Sequence, residues 1–397
     1  MNRPSTKQTA QRPQTKTRDS APLETADPQA PEPLETSGER PEAGRASGAT
    51  TAPRTPVAGF FAFIGSVIAA AWLSFANSIG DAVDFLERWL FGGKKALYGI
   101  AVTRIVFGLT ALGLLLSNFS TRLYTFGSGS AWNGEMARPL SDFPKIWLFS
   151  AFHNAAANDF AFTVLYIALM GLAVLFTIGW RFRIVLPVFF VMWVGFIEMN
   201  DMVGDQGDNM FRIAMILMFF TDAAARWSLD ARRRAAKGDW FAAGSSPNHI
   251  GTVLHNLALV ALTAQVAFVY GSGALYKAQG APWASGYAVY DPLHTARFGT
   301  WPILSDLITA WGPMVAIGTW GSILLQGAFL LALLSRPTRL IALFGILGFH
   351  IMIGVLMGLP WFSLTMIAID SIFIRDRSWK RFGDGVSRRW RASMGRS

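Results

Sequence analysis

Cysteine is missing altogether from the 397 residues, which excludes disulfides and any thiolate-held metal. Histidine is nearly as scarce: His153, His249, His255, His294 and His350 are scattered, and no two make a metal-ligand spacing. Charge is thin as well. Charged residues make up 15% of the chain against 52% hydrophobic, too apolar a balance for an ordinary soluble domain. The formal net charge of +10 could point to nucleic acid, but the basic residues fall in short clusters beside long apolar runs. That is the pattern of membrane topology, so the expected partner is a lipid bilayer and not nucleic acid. No Walker A loop, GxSxG elbow, HExxH pair or GxGxxG turn is present, which removes the commonest motif-borne chemistries.

What is there divides by composition. Residues 1–55 are rich in Pro, Ser, Thr, Glu, Ala and Arg and cannot bury enough apolar surface to offset the entropy of ordering. A disordered tail is expected, and it lacks the apolar core of a signal peptide. Residues 56–95 form a leading segment, apolar over Val57–Ala76 and amphipathic over Asn77–Phe91. It reads either as one long interfacial helix or as a span followed by a surface helix. Residues 96–377 carry apolar runs near 97–117, 160–179, 184–200, 210–225, 253–276, 313–335, 338–359 and 360–375. The fold expected is all-α: a polytopic membrane helix bundle of about eight spans, or nine if the leading segment crosses. Residues 378–397 are a basic tail.

Charge orients the spans. Lys94 and Lys95, Arg181 and Arg183, the run Arg226 to Lys237, Arg336 and Arg339, and Arg375 to Arg381 mark every second boundary. If those ends are cytoplasmic, as the positive-inside rule requires, the C-terminus is cytoplasmic and the protein sits in the cell membrane. Lys277, Glu198, Asp201, Asp205 and Asp208 then face outward. The two four-span halves share no alignable motif, which weakens a transporter built from repeats.

Ionisable groups in or beside spans are costly and so informative. Lys277 ends an apolar helix in GALYKAQGAPWASGYAVY, followed by a turn, Trp283, Gly286 and Tyr287. An amine so placed is either a snorkelling anchor or a base with lowered proton affinity, with the aromatics keeping water away. His350 lies mid-span on one helical face with Gly354 and Gly358, a small-residue packing face on which a histidine commonly hydrogen-bonds across helices. Asp205 reads as a helix cap and Asp208 as its dipole partner, with Asp208 and Arg212 an (i, i+4) pair; a polar wall of a binding site is the other reading. Arg104, two turns into its span, either snorkels or pairs with a carboxylate.

Three separated motifs carry a resemblance. Gly273, Lys277, Trp283 and Gly286 form the first; Asp222, Trp227, Ser228 and Asp230 form the second. The third is Phe349-His350 with Phe362-Ser363, Met366 and Ile372-Phe373, and Arg104-Ile105 with Gly108 adds to it. Together they resemble the HTTM (horizontally transferred transmembrane) family, which includes the membrane domain of vitamin K-dependent gamma-carboxylases. The resemblance implies a helical membrane bundle in which Lys277 matches the lysine that deprotonates vitamin K hydroquinone and His350 matches a histidine of the corresponding helix, making His350, with the Asp205–Asp208 loop, a candidate catalytic partner of the base. A vitamin K-type quinol is thus the cofactor it suggests. Two departures stand against a carboxylase: Gly207 falls where those enzymes carry a histidine, and no large lumenal domain follows the last span. Compact bacterial relatives include helpers of sporulation-delaying toxin systems, so an exported peptide is a second implied partner. A transporter or channel, a non-catalytic scaffold and an immunity partner remain the alternatives.

Overall fold

The computed structural model describes residues 56–129, 142–200, 203–237 and 246–395, in which helices and loops occur and no strand does. The expected disordered tail lies outside the described residues, as does Asp201. Two compact units divide the chain at Ala70. In the first, the described part is the opening of helix α1 (Pro56–Phe91), which runs unbroken for 36 residues into the second. The leading segment is therefore one helix.

The second unit holds the rest of α1 and the bundle. Its main helices are α2 (Leu97–Ser117), α3 (Asp159–Ile178), α4 (Phe182–Ile197), α5 (Gln206–Met218) and α6 (Leu229–Lys237). They continue with α7 (Ser246–Gln279), α8 (Gly312–Ala332), α9 (Arg336–Leu356), α10 (Pro360–Asp370) and α11 (Asp376–Met394). Five of them, α2, α3, α7, α8 and α9, are long and apolar enough to cross a membrane. Helices also stand at the other three expected spans, but α4, α5 and α10 have only 16, 13 and 11 residues. At about 1.5 Å per residue they fall short of a hydrocarbon layer of about 30 Å.

Local chemistry sets the boundaries. Asn158 caps α3 by accepting the Ala161 N–H, and Gly179 ends it in the left-handed region. Asp230 reaches across to accept the N–H groups of Arg181 and Phe182 at the head of α4. Asp376 does the same for Leu97 and Tyr98 at the head of α2. Ser335 caps α9, and proline in the first turn of α8, α9 and α10 occupies positions where a missing N–H costs nothing.

These caps also gather the ends. Arg104 is fully buried on α2, so it does not snorkel, and it makes no ion pair among the described residues. It donates instead to the carbonyls of Phe176, Thr177, Ala223 and Trp227, tying the end of α3 and the loop between α5 and α6 to α2. A cation with four of its five N–H groups donated to buried backbone carbonyls has little to gain from reaching water. Asn256, near the start of α7, binds the carbonyls of Trp89, Leu90 and Gly93 at the end of α1 and accepts the Lys95 N–H. Lys94 pairs with Asp222 at 3.0 Å. The basic boundaries picked out by sequence therefore converge on one end of the bundle. Asp205 and Asp208 at the head of α5, Lys277 in the last turn of α7 and Gly286 in the turn beyond it belong to the opposite end.

The core between them is aromatic and close-packed. Phe107 stacks on Phe211 at 4.2 Å, and Phe176, Phe189 and Trp193 continue the cluster. Gly108 lets α2 lie directly on Thr177 of α3, where a methyl group would have no room. The outer faces present Phe268, Ile317, Leu324 and Phe344, all exposed in the isolated chain. A lipid-facing surface looks like this.

Candidate functional site

The apolar run of α7 continues past the expected boundary to Gln279, so Lys277 sits in its last turn. Three neighbours hold its amine. Nζ donates to Gln326 Oε1 of α8 at 2.6 Å, and it stands over the Trp283 ring at 5.0 Å and the Phe349 ring at 5.2 Å. No ion pair among the described residues includes Lys277. An anchor lysine would extend to water; this one turns inward, to an amide and two aromatic faces. The one-turn helix Ala281–Ala284 that presents Trp283 is braced by Trp320, whose Nε1 donates to the Trp283 carbonyl at 3.0 Å. Gly286 ends that turn at φ +82°, and a Cβ there would lie 3.0 Å from the Trp320 ring. Both the backbone angle and the contact demand glycine. Tyr287 is 48% exposed and takes no part in the enclosure.

His350 is buried and hydrogen-bonds across helices, as its packing face suggested. Its Nε2 lies 3.0 Å from the Tyr270 hydroxyl, which also contacts Asp370 Oδ2 at 2.7 Å. The hydroxyl has one proton to give; donated to the carboxylate, it leaves the oxygen to accept from a protonated His350 Nε2. His350 Nδ1 and Asp370 Oδ1 have no partner among the described residues. Gly354 packs on Ser363 as expected of a small-residue face, whereas Gly358 lies beyond the end of α9 at φ +63° and serves the turn.

The acidic group is a separate place. Asp205 and Asp208 form a reciprocal capping box at the head of α5, which bears out the capping role. The expected contact pair of Asp208 with Arg212 does not form: Asp208 Oδ2 accepts the Asp205 N–H, and Arg212 goes elsewhere. Arg212 turns to Glu198 at 2.5 Å and to Asn209, with its guanidinium over the Phe143 ring. Burial, reinforced by the charges of Asp205 and Glu198, pushes the Asp208 carboxyl up to about 7. Asp205 and Asp208 line a cavity of about 230 Å³ together with Thr110, Trp193, Phe211 and Trp361. In it the Thr110 hydroxyl and the Trp193 N–H find no partner among the described residues. Neither this cavity nor His350 touches the Lys277 amine. The links are aromatic: Phe349 meets the amine and its neighbour His350, and His350 meets Phe362, which lines the cavity.

Residues 94–379 match the HTTM domain. The chain belongs to the HTTM family. No curated protein and no solved structure matches it. With its membrane-crossing helices, this HTTM protein is an integral, multi-pass membrane protein. Of the three motifs, the one around Asp222–Asp230 is architectural here: Asp222 pairs with Lys94 and Arg234, Ser228 caps α6, and Asp230 caps α4. Sequence reasoning missed Tyr270, Gln326 and Asp370. Each is a polar residue within an otherwise apolar run, and that isolation was the available signal.

Proposed function

We infer that this HTTM protein uses Lys277 as a base toward a lipid-soluble acid, of which a quinol is the best-fitting class. One observation carries the reading. The amine sits at the end of an apolar helix, against an amide and two aromatic faces, with no carboxylate among the described residues to fix it as an ammonium ion. In such surroundings the charged form loses hydration without gaining a counter-ion, and a neutral amine can accept a phenolic proton. Trp283 and Phe349 offer flat apolar walls to an aromatic ring, and Gln326 holds the amine in place. By the positive-inside rule the gathered basic end faces the cytoplasm, so Lys277 opens to the outer half of the cell membrane. His350 and the Asp208 cavity, each reached only through aromatic contacts, are not part of the reacting group. The family resemblance supports the quinol class, and nothing specific favours an exported peptide, a transported ion or a purely structural role.

The test uses the purified chain in lipid nanodiscs with a vitamin K-type hydroquinone kept reduced. The wild-type protein is expected to produce the quinolate absorption at neutral pH. Lys277→Met and Lys277→Arg should both lose it, because the arginine keeps the charge but is no base near neutrality. An arginine variant that matches wild type would overturn the reading.

A further inference from the structure

We propose that α11 is a membrane-surface helix that lies in a headgroup layer of anionic lipid. The sequence expected no more here than a basic tail, yet Asp376–Met394 is a 19-residue helix. Its start is fixed to the bundle. Asp376 binds the first N–H groups of α2, Trp379 Nε1 donates to the Ser371 carbonyl at 3.2 Å, and Gly383 rests on the Trp227 ring. Beyond that anchorage the same side of the helix carries Phe382, Val386 and Trp390, four residues apart and 62%, 52% and 64% exposed. No soluble helix gains from holding two bulky aromatics and a valine in water.

Charge identifies the occupant. Between Asp376 and Met394 stand Arg377, Lys380, Arg381, Arg388, Arg389 and Arg391 against Asp376 and Asp384, six basic residues to two acidic. The crowding extends to the bundle end, where Arg339, Arg336 and Arg377 lie near enough to Arg375 to depress its basicity. Such an array is short of anions to balance it. An apolar stripe backed by a cationic face, leaving the end of membrane-crossing helices, matches the acyl boundary and phosphates of the bilayer in which those helices stand. A second copy of the chain, equally basic on this face, would repel.

The absence of cysteine makes the test clean. Val386→Cys and, on the opposite face, Asp384→Cys are each labelled with an environment-sensitive fluorophore in the full-length protein. Each is then placed in nanodiscs of neutral or of one-third anionic lipid. In anionic discs the probe at 386 is expected to shift to the blue and to be quenched by lipid-borne nitroxide, while the probe at 384 stays open to iodide. Replacing Arg388, Arg389 and Arg391 with glutamine should weaken the embedded state roughly five-fold per charge, the factor given by about 1 kcal/mol for each basic residue. High salt should act in the same direction. The proposal falls if the probe at 386 remains iodide-accessible in both lipids. It falls equally if the probe is shielded without nitroxide quenching in a manner that depends on protein concentration, which would make the occupant another protein copy.

Discussion

Replacing Tyr270 with phenylalanine removes one oxygen and almost no volume, so it isolates a hydrogen-bond effect from a cavity effect. That oxygen is the sole partner, among the described residues, of both His350 Nε2 and Asp370 Oδ2. Within a bilayer a side-chain hydrogen bond is worth on average about 0.6 kcal/mol, and two are lost. Stranding a buried carboxyl adds a further cost of about 1 kcal/mol or more. Together these give about 2 kcal/mol, or roughly a thirty-fold shift in the folding equilibrium. Tyr166→Phe is the internal standard: its hydroxyl is also buried but makes a single bond, to the Leu115 carbonyl at 2.7 Å, so on the same scale about 0.6 kcal/mol is expected. The assay is unfolding of the detergent-solubilised protein by increasing mole fractions of sodium dodecyl sulfate, followed by circular dichroism. If Tyr270→Phe proves no more costly than Tyr166→Phe, the three buried groups do not act as one bonded unit and the reasoning fails.

Three further outcomes follow from the same geometry. Gly286→Ala, forced into a positive φ and against Trp320, should cost about 1–3 kcal/mol and loosen the Trp283 turn, read as faster acylation of Lys277 by an outside reagent. Asp230→Ala should cost about 1–2 kcal/mol by uncapping α4 and freeing Arg233, while Asp376→Ala should do the same to α2. Asp208 supplies a pH dependence. Its folded value near 7 lies above that of the unfolded chain, so the unfolded state gives up its proton first. Stability should therefore decline as pH rises from the ordinary carboxyl range to about 7 and level off above it. Asp208→Asn should flatten that decline, and an unchanged profile in the variant would show that another group is responsible.

The helical membrane fold was legible because span length and basic boundaries are chemical constraints of the bilayer, carried by stretches such as Leu97–Ser117 and by pairs such as Lys94-Lys95. The cap at Asp205 was legible for a similar reason: capping is local, and the box closes within four residues. Partner choice was not. Asp208 has both Asp205 and Arg212 within reach in sequence, and only the fold shows that Arg212 is drawn away to Glu198. Lys277 stood out by spacing, but Gln326 and Phe349, which decide its surroundings, come from helices far along the chain. Asp370 escaped notice because one carboxylate in an apolar run announces a cost without naming the tyrosine that offsets it.

Arg104 imposes an order on assembly. As α2 leaves the ribosome, its guanidinium has none of the four carbonyls that later surround it; the last of these belongs to Trp227. A charged residue near the middle of a lone helix raises the cost of lateral release into lipid by about 2.5–3.5 kcal/mol. The nascent bundle thus remains incomplete until more than a hundred further residues have been synthesised. During that interval an insertase or a neighbouring helix has to shelter the cation.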